Sequence, residues 1–531
     1  METLDRKMTR GDMLKLSVLG GAALMLPLER RARTQLAVAD RIPESRLPKP
    51  FQVPFAVPPV LRPVRKGGKT DYYQITMRAN KVPILPGFPK TEIWGYNGIT
   101  PGPTIKVMQG REAVVRQINR LPRRHPSLGY ESWTSVHLHG SASLPQYDGY
   151  AEDVTYPGEF KDYRYPNNQN ARTLWYHDHG VHHTAENAYM GLAAQYHLHD
   201  EQELSLPIPH GKYDVPLTIK DAIFGTDGQL IFDDGSSRGG HDSLMGDVVL
   251  ANGAPWPVMK VERRKYRFRI LNASISRGYD LALSSGEPLS IIGHDGGLAP
   301  APVDVDHFRI GMAERYEVVI DFSKYRVGQS VELRNLGLEN TIDFAATDKV
   351  MRFDVVSEAR DKTNNAVPEV LNPGNYPRNP MRLKESQMAG VHRLELGRTN
   401  GMWTINDGIW DPKRVDERCE LDEIEVWEIE NKSGGWFHPL HIHLIDFRIL
   451  SRNGRAPFPW EQGPKDVAYV GEGETVRVLG QFGPNKGKYM VHCHNLVHED
   501  HDMMMQFEVG TGGPDPVTSA PPKPISRMRP L

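Results

Sequence analysis

Residues 490–510 read MVHCHNLVHEDHDMMMQFEVG and place one of the chain's two cysteines between two histidines. Successive side chains of a β-strand point to opposite faces, so we expect Cys493 on one face and His492 and His494 on the other. His498 follows five residues after the cysteine. This segment therefore predicts a strand that contributes to two sites at once, one on each face.

The ligands available to Cys493 predict a copper ion. A cysteine thiolate, two imidazoles and a weak axial thioether form the blue-copper electron-transfer site. His498 and Met503 lie downstream, and His438 would supply the second imidazole. Zinc is the alternative metal, but structural zinc sites usually carry more thiolates at C-x-x-C-like spacing. The other cysteine, Cys419, is predicted to be a buried packing residue.

Histidine pairs in four short segments predict a larger metal cluster. SVHLHG, LWYHDHG, FHPLHIHL and the 490–510 segment each contain H-x-H. In a strand the two histidines of such a pair project from the same face, about 7 Å apart, and can reach one site. Imidazole suits copper, zinc, iron or nickel, so the pairs alone do not identify the metal. The histidines concerned are His137, His139, His177, His179, His438, His441, His443, His492, His494 and His498.

A weak internal repeat predicts an all-β chain. Residues 97–119, 252–272 and 406–431 each begin near a turn signal, pass through a proline-bearing stretch and end in an alternating segment. The YRFRI run at 266–270 shows the period of two that marks a half-buried strand. Three copies at similar intervals predict three similar antiparallel sandwich or barrel domains, and the second copy lacks H-x-H pairs.

Turn-rich stretches at 200–214 and 363–380 suggest the domain boundaries. The predicted order is a leader, three domains and a disordered tail, at residues 1–45, 46–205, 206–370, 371–512 and 513–531.

The N-terminal segment indicates export. TRGDMLK is similar to a twin-arginine signal with Gly11 in place of the second arginine, and AVA at 37–39 is a candidate cleavage site. The apolar run is too short to span a bilayer comfortably. We therefore expect a periplasmic or extracellular protein rather than a cytoplasmic one. The net charge of −2 gives no reason to expect nucleic acid or an anionic membrane as a partner.

Taken together, H-x-H-G, H-x-H, H-P-x-H-x-H and H-C-H-x3-H-x4-M resemble the motif set of the multicopper oxidases over roughly residues 70–510. The resemblance implies three cupredoxin-like Greek-key β-sandwich or barrel domains, with the type 1 copper in the third and none in the second. It also implies four copper ions, one type 1, one type 2 and two type 3. The implied type 1 ligands are His438, Cys493, His498 and Met503; the type 2 ligands are His137 and His441; the type 3 ligands are His139, His177, His179, His443, His492 and His494.

Within that family, HCHNLVHEDHDMM, TLWYHDH, TAENAY and DGYAED resemble bilirubin oxidases, with spore-coat laccases and phenoxazinone synthase-type aminophenol oxidases as relatives. The implied activity is one-electron oxidation of small aromatic or tetrapyrrole donors (bilirubin, phenols, aminophenols), coupled to four-electron reduction of O2 to water. Electrons would pass through Cys493, and Trp436 hints at an aromatic donor. We expect a monomer.

Two acidic residues are candidates for proton delivery by the same resemblance. Glu499 follows His498, and Asp148 lies eleven residues past His137. Their ordinary interpretations are a solvated surface charge for Glu499 and a turn residue for Asp148, since Asp-Gly is a common turn pair.

Two other functions remain open at this point. A metallo-oxidase for Cu(I) or Mn(II) would resemble family members that carry a methionine-rich insert, whereas methionines 351, 381, 388 and 402 are scattered here. A non-catalytic copper-binding or coat protein would not need the eight histidines of a complete trinuclear site.

Overall fold

The computed structural model describes residues 40–126, 129–235, 242–372 and 374–531. In these residues the strands form six sheets, which occur as three successive pairs along the chain. The predicted export signal lies in residues 1–39, outside the described residues. Residues 40–45, assigned to the leader, instead pack on the second pair of sheets: Ile42 is buried in its core and donates its N–H to Phe224.

The first pair of sheets lies between residues 65 and 199. Its strands are β1 (Arg65–Lys66), β2 (Thr70–Val82), β3 (Thr91–Tyr96), β4 (Ile105–Met108), β5 (Glu112–Asn119), β6 (Val136–His139), β7 (Glu159–Tyr165), β8 (Arg172–Asp178) and β9 (Ala193–His199). β4, β6, β8 and β9 form one sheet, and the others form the facing sheet.

The second pair lies between residues 214 and 358. Its strands are β10 (Asp214–Ala222), β11 (Val248–Ala251), β12 (Ala254–Pro255), β13 (Val258–Arg263), β14 (Lys265–Asn272), β15 (Tyr279–Leu283), β16 (Leu289–His294), β17 (Gly297–Val305), β18 (His307–Ile310), β19 (Arg315–Asp321), β20 (Ser330–Asn335) and β21 (Lys349–Glu358). β13, β15, β18, β20 and β21 form one of its sheets.

The third pair lies between residues 390 and 509. Its strands are β22 (Gly390–Thr399), β23 (Met402–Ile405), β24 (Glu417–Cys419), β25 (Ile424–Asn431), β26 (His438–Ile442), β27 (Phe447–Arg452), β28 (Val467–Val470), β29 (Thr475–Gln481), β30 (Gly487–Cys493) and β31 (Met504–Val509). β24, β26, β28, β30 and β31 form the sheet that carries the C-terminal motifs.

Helices are short and lie between strands. The α-helices of the described residues are α1 (Thr184–Met190), α2 (Glu201–Ser205) and α3 (Leu496–Glu499). The 3-10 helices span Glu44–Arg46, Pro145–Tyr147, Gly211–Tyr213, Phe322–Lys324, Pro380–Arg382, Glu385–Gln387, Pro459–Glu461 and Ile525–Arg527. Among the described residues, no helix is long and apolar enough to cross a membrane.

Each pair of sheets contains the same parallel strand pairing, which differs from the predicted antiparallel sandwich or barrel domains. β2 pairs in parallel with β5, β10 with β14, and β22 with β25. In each case the intervening chain contributes a strand to the facing sheet before it returns (β4, β13 and β24). Such a crossover allows neighbouring strands to run in the same direction.

The repeat seen in the sequence corresponds to a repeated asparagine turn. Asn97, Asn252 and Asn406 all have positive φ, which asparagine tolerates better than most residues. Each side-chain oxygen accepts an N–H from the first strand of the parallel pair: Thr76 at 2.9 Å, Thr218 at 2.8 Å and Glu395 at 2.7 Å. The three copies therefore share a local structure as well as a sequence pattern.

The C-terminal tail is ordered, which corrects the prediction that residues 513–531 are disordered. Lys523–Pro524 forms β32 and pairs antiparallel with β7 at Phe160 and Glu159. The Arg116 guanidinium also donates to the carbonyl of Arg529 at 2.5 Å. The proline-rich composition suggested disorder, but the edge of the first sheet supplies partners for the tail's backbone.

Candidate metal centre

The two C-terminal histidine motifs lie side by side in one sheet. β26 pairs antiparallel with β30, with Leu440 opposite Cys493 and His441 opposite His492. Because side chains alternate along each strand, Cys493 points into the domain core, where it belongs to the apolar cluster. His492 and His494 face the first pair of sheets.

On the core side, three ligand atoms converge. His438 Nδ1 lies 3.3 Å from Cys493 Sγ and 3.3 Å from His498 Nδ1, and Cys493 Sγ lies 3.6 Å from His498 Nδ1. All three residues are buried. Separations of this size suit three ligands around one ion, because each metal–ligand bond would be about 2.0–2.3 Å.

A short loop positions His498. Asn495 caps α3 by accepting the N–H of Val497 at 3.3 Å, and His498 lies on that single turn. Met503 closes the loop, since its carbonyl accepts the Cys493 N–H at 3.1 Å and its own N–H donates to His498. Met503 is fully buried in the same apolar cluster as Cys493.

Hydrogen bonds fix the tautomers that a metal would require. Ser433 donates its hydroxyl proton to Asn431, so it accepts a hydrogen bond from His438 Nε2 at 2.9 Å. His498 Nε2 donates to the carbonyl of Asp242 at 2.8 Å. In both rings the Nδ1 lone pair is therefore left to face Cys493.

Protonation at this site matches a metal centre. Burial lowers the pKa of His438 to about 3 and holds the pKa of His498 well below its usual value, so both imidazoles are neutral. Burial raises the pKa of the Cys493 thiol. A metal ion would displace that proton, since the thiolate is the ligand form.

On the other face, eight histidines from two domains surround one space. His137 lies opposite His177 across β6 and β8. The rings of His139 and His441 stack with centroids 3.6 Å apart, and those of His137 and His443 with centroids 4.0 Å apart. All eight are buried: His137, His139, His177, His179, His441, His443, His492 and His494.

In several of these rings, one nitrogen forms a hydrogen bond and the other has no hydrogen-bond partner. Nδ1 of His137, His177 and His441 donates to the carbonyls of Asp148, Asp178 and Asp466 at 2.5, 2.7 and 2.8 Å. The Nε2 atoms of these three rings are buried without a hydrogen-bond partner. Orphaned buried acceptors are costly, and metal ligation satisfies them. The donor set therefore fits bound copper ions.

The remaining rings of the eight are arranged in the same space. His492 Nε2 lies 3.1 Å from His179 Nε2 and 3.2 Å from His443 Nε2. His139 faces Asp466 through Nε2 and leaves Nδ1 unpaired, and both nitrogens of His494 are unpaired. Burial lowers the pKa values of His177 to about 3 and of His179 to about 4.

Asp148 lies at the edge of this histidine cluster and is buried. One carboxylate oxygen is 2.7 Å from His443 Nδ1, and its carbonyl accepts from His137. Burial raises the pKa of this carboxyl well above its usual value. Gly149 has φ of 78°, and a Cβ there would lie 2.5 Å from the His137 backbone, so only glycine allows this approach.

Glu499 lies on the opposite edge and is also buried, not a solvated surface charge. Its carboxylate oxygens are 2.9 Å from His492 Nδ1 and 3.3 Å from His179 Nδ1. Burial alone would raise the pKa of Glu499, but the two neighbouring histidines lower it to about 2.

Sequence reasoning missed Asp466, which contacts the cluster from a third direction. Its side-chain oxygen is 3.1 Å from His139 Nε2, and its carbonyl accepts from His441. Arg315, from the second domain, binds both of its carboxylate oxygens. No motif or spacing in the sequence links these residues to the histidines.

Comparisons with known proteins agree with this geometry. Three sequence profiles described as multicopper oxidase match residues 78–203, 216–331 and 380–513. The chain belongs to the multicopper oxidase family. Bilirubin oxidase from Albifimbria verrucaria is 42% identical over 482 residues, covering 86% of this multicopper oxidase and 81% of the relative. Laccase from Bacillus subtilis is 34% identical, covering 85% and 97% of the two chains.

Solved structures show the same architecture. The crystal structure of laccase from Pediococcus acidilactici superposes with a TM-score of 0.76 at 31% identity, covering 87% of this chain and 94% of the other. McoA multicopper oxidase from Aquifex aeolicus gives a TM-score of 0.75 at 26% identity, covering 87% and 100%.

Two predictions from the sequence are thereby confirmed. The fold consists of cupredoxin-like all-β domains. The protein is a copper oxidoreductase that binds four copper ions and couples oxidation of organic donors to the reduction of O2.

Proposed function

We propose that this multicopper oxidase takes electrons from bilirubin-like tetrapyrroles, aminophenols and phenols beside the third domain's core. The observation that carries the proposal is the position of Cys493. Its sulfur meets His438 and His498, while its two chain neighbours belong to the eight-histidine cluster.

The two faces of β30 separate the type 1 ligands from the eight-histidine cluster, and the division of that cluster between type 2 and type 3 ions is what the family resemblance implies. His438, Cys493, His498 and Met503 would hold the type 1 copper. His137 and His441 would hold the type 2 copper. The type 3 pair would be held by His139, His177, His179, His443, His492 and His494. Copper held by these residues would supply one-electron acceptance from a donor and the four-electron, four-proton reduction of O2 to two water molecules.

The chain itself supplies the connection between the two faces. Cys493 is the chain neighbour of both His492 and His494, so a continuous covalent path runs from its sulfur to either imidazole at the end of β30. The β26–β30 hydrogen bonds hold both ends of this path in fixed positions.

The aromatic surroundings of His498 support an aromatic donor. Trp403 stacks on His498 at 3.9 Å between centroids, and Trp436 meets the same ring edge-on at 5.5 Å. Trp403 is buried, whereas Trp436 is partly exposed. Trp436 thus provides an aromatic surface for a planar donor, and it contacts the ring of the type 1 ligand His498. Similarity over most of the chain to a bilirubin oxidase further supports a tetrapyrrole donor.

We propose that Asp148 and Glu499 hold and deliver the protons that water formation consumes. Asp148 would hold a proton on its carboxyl beside His443, because burial favours the neutral acid. Glu499 would pass protons at its carboxylate oxygens beside His492 and His179. Both residues would act as positioned acid–base groups.

Oxygen uptake by the copper-loaded protein tests the donor class. Bilirubin, o-aminophenol and 2,6-dimethoxyphenol should each support uptake, and Cu(I) alone should support much less. Cys493→Ser should abolish uptake and the blue colour together. Uptake with Cu(I) but with none of the organic donors would overturn the proposal in favour of a metallo-oxidase, and no uptake at all would favour a copper-binding protein.

Export and a monomeric state are further parts of the proposal. The basic and apolar pattern of residues 1–39 supports export to the periplasm or the medium. Fractionation of expressing cells and light scattering of the purified protein would test the two statements separately.

A further inference from the structure

Cys419 lies in a side-chain cluster with His392, Glu417 and Glu425. Cys419 Sγ is 3.3 Å from Glu425 Oε2, and His392 Nε2 makes a hydrogen bond with the same oxygen. On the other side of the ring, His392 Nδ1 is 2.6 Å from Glu417 Oε2. The Cys419 thiol and the His392 imidazole therefore both contact Glu425 Oε2, and a second carboxylate lies on the other side of the imidazole.

The strands of the third domain bring these residues together. Glu417 and Cys419 are two residues apart on β24, so they project from the same face. Glu425 is the second residue of β25, and His392 on β22 lies opposite Trp427 in the parallel pairing of those strands. The cluster thus forms where the two sheets of the domain face each other, on regular strands rather than on loops.

We propose that Cys419, His392 and Glu425 bind a divalent transition-metal ion of the zinc type, in addition to the four copper ions. Thiolate, imidazole and carboxylate are the ligands that zinc takes in proteins, and three protein ligands leave a position for water. Glu417 occupies the place of the carboxylate that commonly orients a metal-bound histidine through its other nitrogen. Nothing in this inference depends on the proposed donor or on the copper ligand assignment.

The local charge favours a cation. Residues 416–430 read DERCELDEIEVWEIE and contain eight acidic side chains against one arginine. Burial and the carboxylates of Glu425, Glu417 and Glu423 raise the pKa of the Cys419 thiol. The two carboxylates that flank His392 outweigh its burial and raise its pKa to about 9.

Metal binding at this point exchanges protons for the ion. The cluster holds one proton on the Cys419 thiol and an extra one on the His392 imidazolium, between the two carboxylates. A divalent ion that binds the thiolate and the neutral imidazole releases both protons, so the net charge of the cluster is unchanged. Proton release on metal binding is general for such ligands.

The cluster is separate from the copper ligands and is accessible. Cys419 lies beside Val509 in the sheet, whereas His492 lies beside Met504, five residues along β31. At about 3.4 Å per residue, that separation is roughly 17 Å. The side chains of His392 and Glu417 are 15% and 23% exposed, so an ion can enter from solvent.

Zinc uptake by the copper-loaded protein tests the site. The protein is equilibrated with Zn2+, freed of unbound metal by gel filtration and analysed for zinc and copper. We expect one zinc per chain with the copper content unchanged, and loss of that zinc in Cys419→Ser and in His392→Gln. Glu417→Gln should weaken zinc binding by about 10–100-fold, because it removes the orienting carboxylate.

Glu420→Gln is the matched control, because it removes an exposed acidic charge of the same segment without removing a ligand. It should retain one zinc. An unchanged blue absorbance shows that each variant is folded. As a second measurement, Co2+ bound to the unmodified protein should show a thiolate charge-transfer band that is absent in Cys419→Ser. Zinc contents that are equal in the unmodified protein and both ligand variants, or no cobalt–thiolate band, would overturn the proposal.

Discussion

Arg315 donates a hydrogen bond to each carboxylate oxygen of Asp466, at 2.7 and 2.5 Å. Arg315 begins β19 of the second domain, and Asp466 contacts His139 and His441 of the eight-histidine cluster. The second domain carries none of the predicted copper ligands, yet its arginine holds the residue that orients two of them. All of these side chains are buried.

Arg315→Met should therefore destabilise the protein strongly. Removing one partner of a buried ion pair costs about 3–5 kcal/mol, because the remaining charge stays buried without compensation. Urea unfolding of the copper-loaded protein, followed by tryptophan fluorescence, measures the free energy of unfolding. Arg477→Met is the matched control: Arg477 forms a partly exposed pair with Glu385, and loss of such pairs costs about 0–1 kcal/mol. Equal losses in the two variants would contradict this role for Arg315.

Glu499→Gln should slow O2 reduction while leaving the blue absorbance intact. The glutamine keeps the shape of the side chain beside His492 and His179 but cannot exchange protons at these oxygens. Loss of a positioned acid–base group costs about 10²–10⁴-fold in rate. Stopped-flow reoxidation of the reduced protein with O2 isolates this step. Asp502→Asn, a partly exposed neighbour, serves as control. Reoxidation at the original rate would remove Glu499 from proton delivery.

The parts of the site that sequence could predict are those set by local periodicity. His137 and His139 are two residues apart, so strand geometry places them on the same face. Cys493 is one residue from each neighbouring histidine, so it lies on the opposite face from both. Asp466 and Arg315 meet only because two domains pack together, and no short pattern encodes that contact. Glu499 was ambiguous for the same reason, because its burial depends on residues far away in the chain.

The same distinction between local patterns and distant contacts applies to the fold. The alternation in 266–270 correctly indicates a strand, but the prediction that this strand is half-buried is wrong, because Arg267 and Arg269 are buried in ion pairs with Glu317 and Asp214. A period of two is also the same in parallel and antiparallel neighbours. Pairing direction therefore could not be predicted from it. The proline content of the tail predicts disorder, whereas β32 is held in place by pairing with the edge of β7. In both cases the deciding contact is distant in sequence.

His125 should make stability depend on pH. It packs against Trp94 and Tyr130, and burial lowers its pKa to about 4 from the ordinary 6.5. The unfolded chain therefore binds more protons between pH 6.5 and 4, and the free energy of unfolding falls as pH falls through that window. Between pH 7 and pH 5 this group contributes a loss of roughly 2 kcal/mol.

Non-titrating replacements of this histidine provide the comparison. Urea unfolding at pH 7 and pH 5 measures how the free energy of unfolding depends on pH. The measurement is made on the unmodified protein, His125→Phe and His125→Gln. Both variants should lose less stability at pH 5 than the unmodified protein, whatever their stability at pH 7. A pH dependence that is the same in all three proteins would assign the effect to other groups.

Met503→Leu should raise the reduction potential of the type 1 site. Met503 is buried in the same apolar cluster as Cys493, and its backbone closes the loop that carries His498. An axial thioether stabilises the oxidised ion, whereas leucine cannot coordinate, so its replacement favours the reduced form. Redox titration of the blue absorbance measures the potential directly. Met505→Leu is the matched control, because Met505 is equally buried but follows on β31 as a packing residue. If the potential is the same in Met503→Leu and Met505→Leu, the axial ligand is a different residue.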